Sequence, residues 1–198
     1  MHHLIIRRTI NTPGKVDARE VFVKESDALA ELLTARGDTV ETCSLNELTP
    51  PQILARYTRQ DTVSVFGHGW PRRCEGLPRR KRGAYEVAQW MRASGCEFLN
   101  LFACSCANAD HKRGCFTRWV AEHCHKIDHT AQVFGHECSG HATWNPKARY
   151  YWTTPAGGVT TAKLWDPEAQ GWKERAAFRE RLKTDQEYRL LIPFIFED

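Results

Sequence analysis

Three short β-rich runs in the chain each end in a turn that carries a histidine or a cysteine. The runs, each with the reactive residue that follows it, are 62–66 with His68, 98–102 with Cys104, and 131–134 with His136. Segments of helical periodicity separate them, and strand–helix alternation of this kind is typical of a mostly parallel sheet with helices on both faces. Ligands of such sheets bind beyond the carboxyl ends of the strands, which is where the three reactive side chains are expected.

The remaining elements extend this alternation along the chain. Further strands are predicted at 4–6, 39–43 and 150–154, and helices at 27–33, 49–57, 85–91, 117–124 and 168–183. Ser26 is predicted to cap the first helix, Gly37 to end it and Gly95 to end the third. Residues 21–23 are expected in a second strand segment or in a loop. Residues 190–196, interrupted by Pro193, are expected to form an edge strand or a docked end.

Together these elements predict one α/β domain over residues 1–198, a three-layer sandwich with a mostly parallel central sheet. Its core is expected at about 4–135, with 136–198 as a C-terminal extension packed on it. The 198 residues suffice to bury a core, and 41% hydrophobic with 26% charged residues is ordinary globular composition.

The cysteine usage and the N-terminus predict a cytoplasmic protein. The first apolar run is too short for a signal peptide, and no stretch reaches the roughly 18 apolar residues that span a bilayer. No membrane partner is therefore expected. The eight cysteines are expected to be free thiols, because a chain of this length needs no disulfides to fold.

A cysteine nucleophile needs a base that removes its proton and N–H donors that stabilise the oxyanion of the tetrahedral intermediate. His68 supplies an imidazole on a tight turn, and the missing side chain of Gly69 lets a carbonyl approach the backbone. Cys104 follows its strand among small residues, where the thiol is expected to be exposed. We therefore predict a thiol hydrolase that needs no cofactor and no metal.

The two blocks Val63-Ser64-Val65-Phe66-Gly67-His68-Gly69 and Leu99-Asn100-Leu101-Phe102-Ala103-Cys104-Ser105 resemble the caspase-like cysteine peptidases. That group includes caspases, gingipains, legumains, separases and the CHAT domains. The resemblance implies a caspase-like fold that cleaves amide bonds of a protein or peptide. It assigns His68 as general base and acid, Cys104 as nucleophile, and the N–H groups of Gly69 and Cys104 as the oxyanion hole.

Two features depart from the caspase pattern. The histidine and the cysteine are 36 positions apart (104 − 68), against about 50 in caspases. The sequence Phe-Ala-Cys-Ser-Cys also stands where caspases have Gln-Ala-Cys-x-Gly. These departures concern substrate specificity more than the fold. Cys106 stays open as an alternative nucleophile or as a structural thiol.

The region 104–141 is dense in cysteine and histidine, which leaves a zinc-binding protein or zinc-dependent hydrolase as an alternative. Its members are Cys104, Cys106, His111, Cys115, His123, Cys124, His125, His129, His136, Cys138 and His141. The spacings do not favour zinc, because the chain contains no Cys-x-x-Cys pair. His136 and His141 are also one residue too far apart for the His-Glu-x-x-His motif. A non-catalytic α/β binding module is the other alternative.

The loop from Gly135 to Pro146 is polar, rich in glycine and expected at the active-site edge. We predict substrate contacts from its members His136, Glu137, His141 and Trp144, and from Trp70 beside the histidine turn.

Two basic stretches, 72–73 and 79–82, follow that turn. They are interpreted as a solvated loop, an anion-attracting rim or a site of processing. Nucleic acid is not an expected partner, because its binding favours a larger basic face with aromatic platforms. The oligomeric state stays open.

Overall fold

The computed structural model describes residues 1–9, 19–45, 61–140, 142–143, 147–154, 158–163, 181 and 184–194. The strands are β1 (His2–Arg7), β2 (Thr39–Ser44), β3 (Thr62–Phe66), β4 (Gly69–Trp70), β5 (Arg73–Cys74), β6 (Phe98–Phe102), β7 (Gln132–His136), β8 (Ala148–Thr154) and β9 (Gly158–Lys163). The α-helices are α1 (Arg19–Ala35), α2 (Arg80–Ser94) and α3 (Phe116–Lys126), and Glu187–Phe194 forms a 3-10 helix.

Seven strands form one sheet in the spatial order β2-β1-β3-β6-β7-β8-β9. The first five are parallel to one another, and β8 and β9 add an antiparallel edge. The prediction of an α/β fold with a mostly parallel central sheet is confirmed. The strand order places β3 beside β6 at the middle of the sheet, so the residues that follow these two strands leave it side by side.

Both faces of the sheet are buried against helical segments. Alternate residues of each strand point to opposite faces, so one strand contributes to both cores. On β1, Leu4 and Ile6 belong to the core that includes α2 and α3 residues. Ile5 belongs to the other core, which includes residues of α1 and the 3-10 helix. The parallel strands are apolar on both sides for this reason.

Helix α1 begins earlier than the sequence suggested. Residues 21–23 are helical, so the prediction of a strand segment or loop there is wrong. Ser26 lies inside the helix instead of capping it, and its hydroxyl donates to the carbonyl of Val23 (2.8 Å). A serine hydroxyl satisfied in this way is tolerated within a helix. Gly37 follows the helix with φ +90° and its N–H donates to the carbonyl of Thr34 (2.9 Å), as expected of a C-terminal glycine.

The C-terminal part contains both confirmed and unexpected elements. The predicted strand at 150–154 is confirmed as part of β8, whereas β9 was not predicted. The segment from Leu190 forms a buried 3-10 helix, so a docked end is confirmed and an edge strand is wrong. The helices predicted at 49–57 and over most of 168–183 lie outside the described residues. In the part of the chain that the structure describes, no helix has the length and apolar character to cross a bilayer.

Candidate active site

The register of the central strands brings the two reactive turns to the same level. Phe66 at the end of β3 pairs with Phe102 at the end of β6. His68 and Cys104 each come two residues later, in the turns that follow these strands, and neighbouring strands of a sheet lie roughly 4.8 Å apart. The two residues predicted as a dyad therefore leave the sheet together at the carboxyl edge, as expected for a parallel sheet.

Gly69 lies directly against the backbone of the cysteine turn. A Cβ atom placed on this glycine would lie 2.3 Å from the Cys104 carbonyl oxygen and 2.6 Å from the Cys104 nitrogen. Real Cβ contacts do not come this close, so only glycine permits this packing. The contact fixes the histidine turn onto the cysteine turn.

The backbone of His68 is held by Glu75, and its ring is held by aromatic residues. The N–H of His68 donates to Glu75 Oε2 (3.0 Å), and the N–H of Glu75 donates to the His68 carbonyl (2.8 Å). The Glu75 carboxylate also forms an ion pair with Arg8 at the end of β1. The imidazole packs edge-on against Phe22 of α1, with 5.1 Å between ring centroids, and 6.2 Å from the Trp70 ring. These contacts restrict both the position of the turn and the orientation of the ring.

Cys104 is half-buried on a sharp turn. The next residue, Ser105, has φ +58°, a left-handed conformation that residues with a side chain seldom adopt. The N–H of Ser105 donates to the Cys138 carbonyl (3.1 Å), which attaches this turn to the loop after β7. In the same loop, the N–H and the carbonyl oxygen of Gly140 both lie 3.4 Å from Cys104 Sγ. The Gly140 N–H is thus in place to donate to a thiolate.

Two backbone N–H groups beside the thiol are available to a ligand. Among the described residues no acceptor takes a hydrogen bond from the N–H of Cys104. Gly69 pairs with Cys74 in the β4–β5 hairpin at a non-hydrogen-bonded position, because the flanking bond runs from Glu75 to His68. The Gly69 N–H therefore points away from the opposing strand of the hairpin.

Cys106 has an environment unlike that of Cys104. It is fully buried, and its Sγ lies 3.2 Å from the Ala103 carbonyl oxygen and 3.7 Å from that of Leu101. Burial raises the pKa of the Cys106 thiol well above its usual value. A Cβ on Gly135 would lie only 2.7 Å from this sulfur, so the thiol fills a closely packed space. The described structure makes Cys106 a packing residue.

Two of the substrate-contacting residues predicted in this region, His136 and Glu137, are among the described residues, and neither lies at the open edge. His136 is only 2% exposed and packs 5.3 Å from the Phe134 ring. Burial lowers its pKa to about 4, although the nearby Lys147 carbonyl partly offsets this effect. The ring has no well-formed hydrogen bond, and it does not face an open surface. His136 is the last residue of β7, and its ring is buried in the core instead of facing the open edge. This corrects the expectation of a direct substrate contact.

Glu137 makes a contact within the sheet. Its Oε1 accepts from Arg149 Nε at 2.6 Å, and the two side chains are 17% and 15% exposed. Trp70 is 41% exposed at the rim beside His68, with the Arg73 guanidinium 3.6 Å above its ring. Trp70 is thus close to the dyad, whereas Glu137 is engaged by Arg149. The predicted contacts His141 and Trp144 lie outside the described residues.

The basic stretches lie on the α2 side of the sheet. The Arg80 N–H donates to the Arg72 carbonyl (3.3 Å), which joins the start of α2 to the β4–β5 hairpin. Cys74 and Ala84 from these elements belong to the core on that face. Among the described residues, Arg82 with Glu86 (3.5 Å) is the ion pair of this region. Residues 79–82 are exposed and form a solvated basic surface next to the hairpin that carries Gly69, whereas Arg72 and Arg73 are half-buried and lie over the rings of Trp119 and Trp70.

The described part of the chain contains no group of three or more His, Cys, Asp or Glu side chains that could hold a metal ion. All eight cysteines are free thiols. Cys74, Cys96 and Cys124 are buried, and burial raises the pKa of each to about 12. The described members of the dense Cys/His region are dispersed over the turns after β6, α3, β7 and the loop that follows it.

Sequence reasoning missed several residues that build this site. Glu75 and Phe22 position His68, and Gly140 contacts the thiol. Glu25 is a charged residue on the apolar face of α1, only 5% exposed. The sequence alone could have revealed Glu25, because a carboxylate between Phe22 and Leu29 interrupts an otherwise apolar stripe of the helix. The other contacts join distant parts of the chain.

No protein-family model matches this chain, and no curated protein matches its sequence.

Proposed function

We propose that this protein is a cysteine hydrolase of caspase-like type, which cleaves amide bonds of a protein or peptide with Cys104 and His68. The observation that carries the proposal is the packing of Gly69 on the Cys104 backbone at the ends of two paired strands. It couples an imidazole turn to a thiol turn at the ligand-binding edge of the sheet. The burial of Cys106 supports the choice of Cys104 as the nucleophile.

In the proposed mechanism His68 accepts the thiol proton of Cys104, and the thiolate attacks the substrate carbonyl carbon. The carbonyl oxygen becomes an oxyanion, which accepts hydrogen bonds from the N–H groups of Gly69 and Cys104. His68 then donates its proton to the departing amine nitrogen, and an acyl-enzyme thioester remains. Water attacks the thioester with His68 as the base, which releases the acid and restores the thiol.

Two further observations support this role. Glu75 and Phe22 restrain His68, which holds the imidazole in a fixed orientation beside the cysteine turn. The eight free thiols fit a reducing compartment, so we also propose a cytoplasmic location.

Competitive alkylation tests the proposal. The native protein is treated with substoichiometric iodoacetamide near neutral pH, and the label on each of the eight cysteines is quantified by mass spectrometry. Cys104 is expected to react about tenfold faster than half-buried Cys43 on β2, because the imidazole favours the thiolate. His68→Ala removes this advantage. His2→Ala, which removes an exposed imidazole on β1, preserves it. Equal rates at Cys104 and Cys43 in the wild type would overturn the proposal.

A further inference from the structure

A cavity of about 380 Å³ opens between α1, the loop after β7 and the 3-10 helix. Its described lining residues are Val21, Lys24, Glu25, Ala28, Thr143, Gln186 and Glu187. The volume is within the range of pockets that hold a small ligand or one large side chain. It lies on the face of the sheet that α1 covers, opposite the basic surface of α2.

Glu25 gives this cavity a nearly buried carboxylate, since only 5% of the residue is exposed. Its Oε1 accepts two hydrogen bonds from Thr143, one from the N–H (2.9 Å) and one from the hydroxyl (2.8 Å). Its Oε2 accepts none from any described residue. A buried carboxylate with an unused oxygen is costly unless a donor or a cation reaches it.

The nearby cations of the described chain are engaged elsewhere. Lys24 also lines the cavity, but its side chain is exposed and its ammonium forms an ion pair with Glu20, 3.6 Å away on the same helix. Arg189 donates to the Thr143 carbonyl (2.7 Å), which secures the loop and leaves the carboxylate of Glu25 without an ion pair. The wall of the cavity therefore presents a negative group with no cationic partner in the described chain.

Residues close in the chain to the lining of the cavity contact both halves of the candidate dyad. Phe22, which packs on the His68 ring, lies one helical turn before Glu25 on the same face of α1. Gly140, which contacts Cys104 Sγ, precedes Thr143 by three residues, a span of at most about 11 Å. A side chain that enters the cavity can thus belong to the residue whose carbonyl reaches Cys104.

We propose that this cavity is the specificity subsite of the enzyme, and that Glu25 binds the lysine or arginine side chain of the residue at whose carbonyl the peptide is cleaved. The inference rests on the proposed function, because it assigns a substrate class to the same thiol. The guanidinium or ammonium group supplies the donor and the positive charge that Glu25 Oε2 lacks. Thr143 holds the other oxygen and so fixes the direction of the carboxylate.

Peptidyl chloromethyl ketones test the subsite, because they alkylate the nucleophile only when their terminal side chain is accommodated. Two reagents are compared that differ in this side chain, arginine or norleucine, and iodoacetamide reports the thiol itself. In the wild type we expect Cys104 to react at least about tenfold faster with the arginine reagent. Glu25→Gln keeps an acceptor for Thr143 and is expected to remove that preference, with the iodoacetamide rate unchanged. Thermal unfolding verifies that this variant folds.

Glu187→Gln is the matched control, since it removes an exposed carboxylate from the rim of the same cavity. It is expected to change the preference less than about twofold, as exposed charges contribute little. Equal wild-type rates with the two reagents, or a preference that persists in Glu25→Gln, would overturn the subsite while the thiol chemistry stands. If iodoacetamide does not single out Cys104, the proposed function fails, and the assignment of the cavity as its subsite fails with it.

Discussion

Gly69→Ala tests the contact on which the candidate site depends. The added methyl group would lie 2.3 Å from the Cys104 carbonyl oxygen and 2.7 Å from the Ala103 carbonyl carbon. All the close atoms belong to the backbone, so no side chain can rotate away to make room. The β4–β5 hairpin must therefore separate from the cysteine turn, and His68 moves with it.

The size of the effect on stability and on rate follows from the overlap of the added methyl group with the cysteine turn. Forcing one methyl group into a packed contact costs about 1–3 kcal/mol of folding free energy. In a chain of 198 residues each kcal/mol lowers the melting temperature by roughly 2–4 °C. A displacement of about 1 Å between reacting groups lowers a rate by about a hundredfold. Gly69→Ala is thus expected to abolish the preferential alkylation of Cys104 while the protein still folds.

The assay measures the iodoacetamide rate at Cys104 and the thermal unfolding midpoint for the same samples. Gly95→Ala is the control, because Gly95 ends α2 with φ +72° and a Cβ there meets no atom within 4 Å. It should destabilise the protein by about 1 kcal/mol through backbone strain alone and leave the Cys104 rate unchanged. If Gly69→Ala reacts at Cys104 as fast as the wild type, this contact does not position the dyad.

Three further results are expected. Cys106→Ala leaves the alkylation rate of Cys104 unchanged, since Cys106 is fully buried with a raised pKa; a loss of that rate would make Cys106 part of the site. Burial lowers the pKa of His136 from 6.5 to about 4, so only the unfolded chain binds this proton as the pH falls between those values. As the pH falls through that range, the free energy of unfolding should therefore drop by roughly 3 kcal/mol more in the wild type than in His136→Leu. Denaturant titrations at several pH values measure this difference. Parallel pH profiles of the two proteins would contradict the burial of a neutral ring. Arg149→Met leaves the largely buried Glu137 carboxylate without its partner and should lower stability by about 3 kcal/mol in the same titrations, whereas an unchanged midpoint would assign that pair no structural role.

The sequence predicted the central part of the sheet well, because the strands there are short, apolar on both faces and ended by sharp turns. Phe66 and Phe102 stood at the ends of such runs, and the structure pairs them in register. The prediction that His68 and Cys104 end strands of one sheet followed from this pattern alone. Their adjacency in space depended on strand order, which periodicity does not determine.

The start of α1 was harder to predict, because β-branched and aromatic residues such as Val21 and Phe22 favour strands and are helical here. Burial of Phe22 against His68 and of Leu29 in the core outweighs that local preference. Similarly, His136 resembled an edge residue in sequence, but β7 continues through it and turns its ring inward. Local patterns cannot reveal such long-range packing.

Formation of an acyl-enzyme directly tests whether Cys104 and His68 act together as a hydrolase. The protein is mixed with an excess of a p-nitrophenyl ester, nitrophenol release is followed, and the acyl group is located by mass spectrometry. We expect a burst of about one equivalent, an acyl group on Cys104, and slow deacylation in His68→Ala because the base is missing. An acyl group on any other residue, no burst in the wild type, or identical kinetics in His68→Ala would contradict a Cys104–His68 hydrolase.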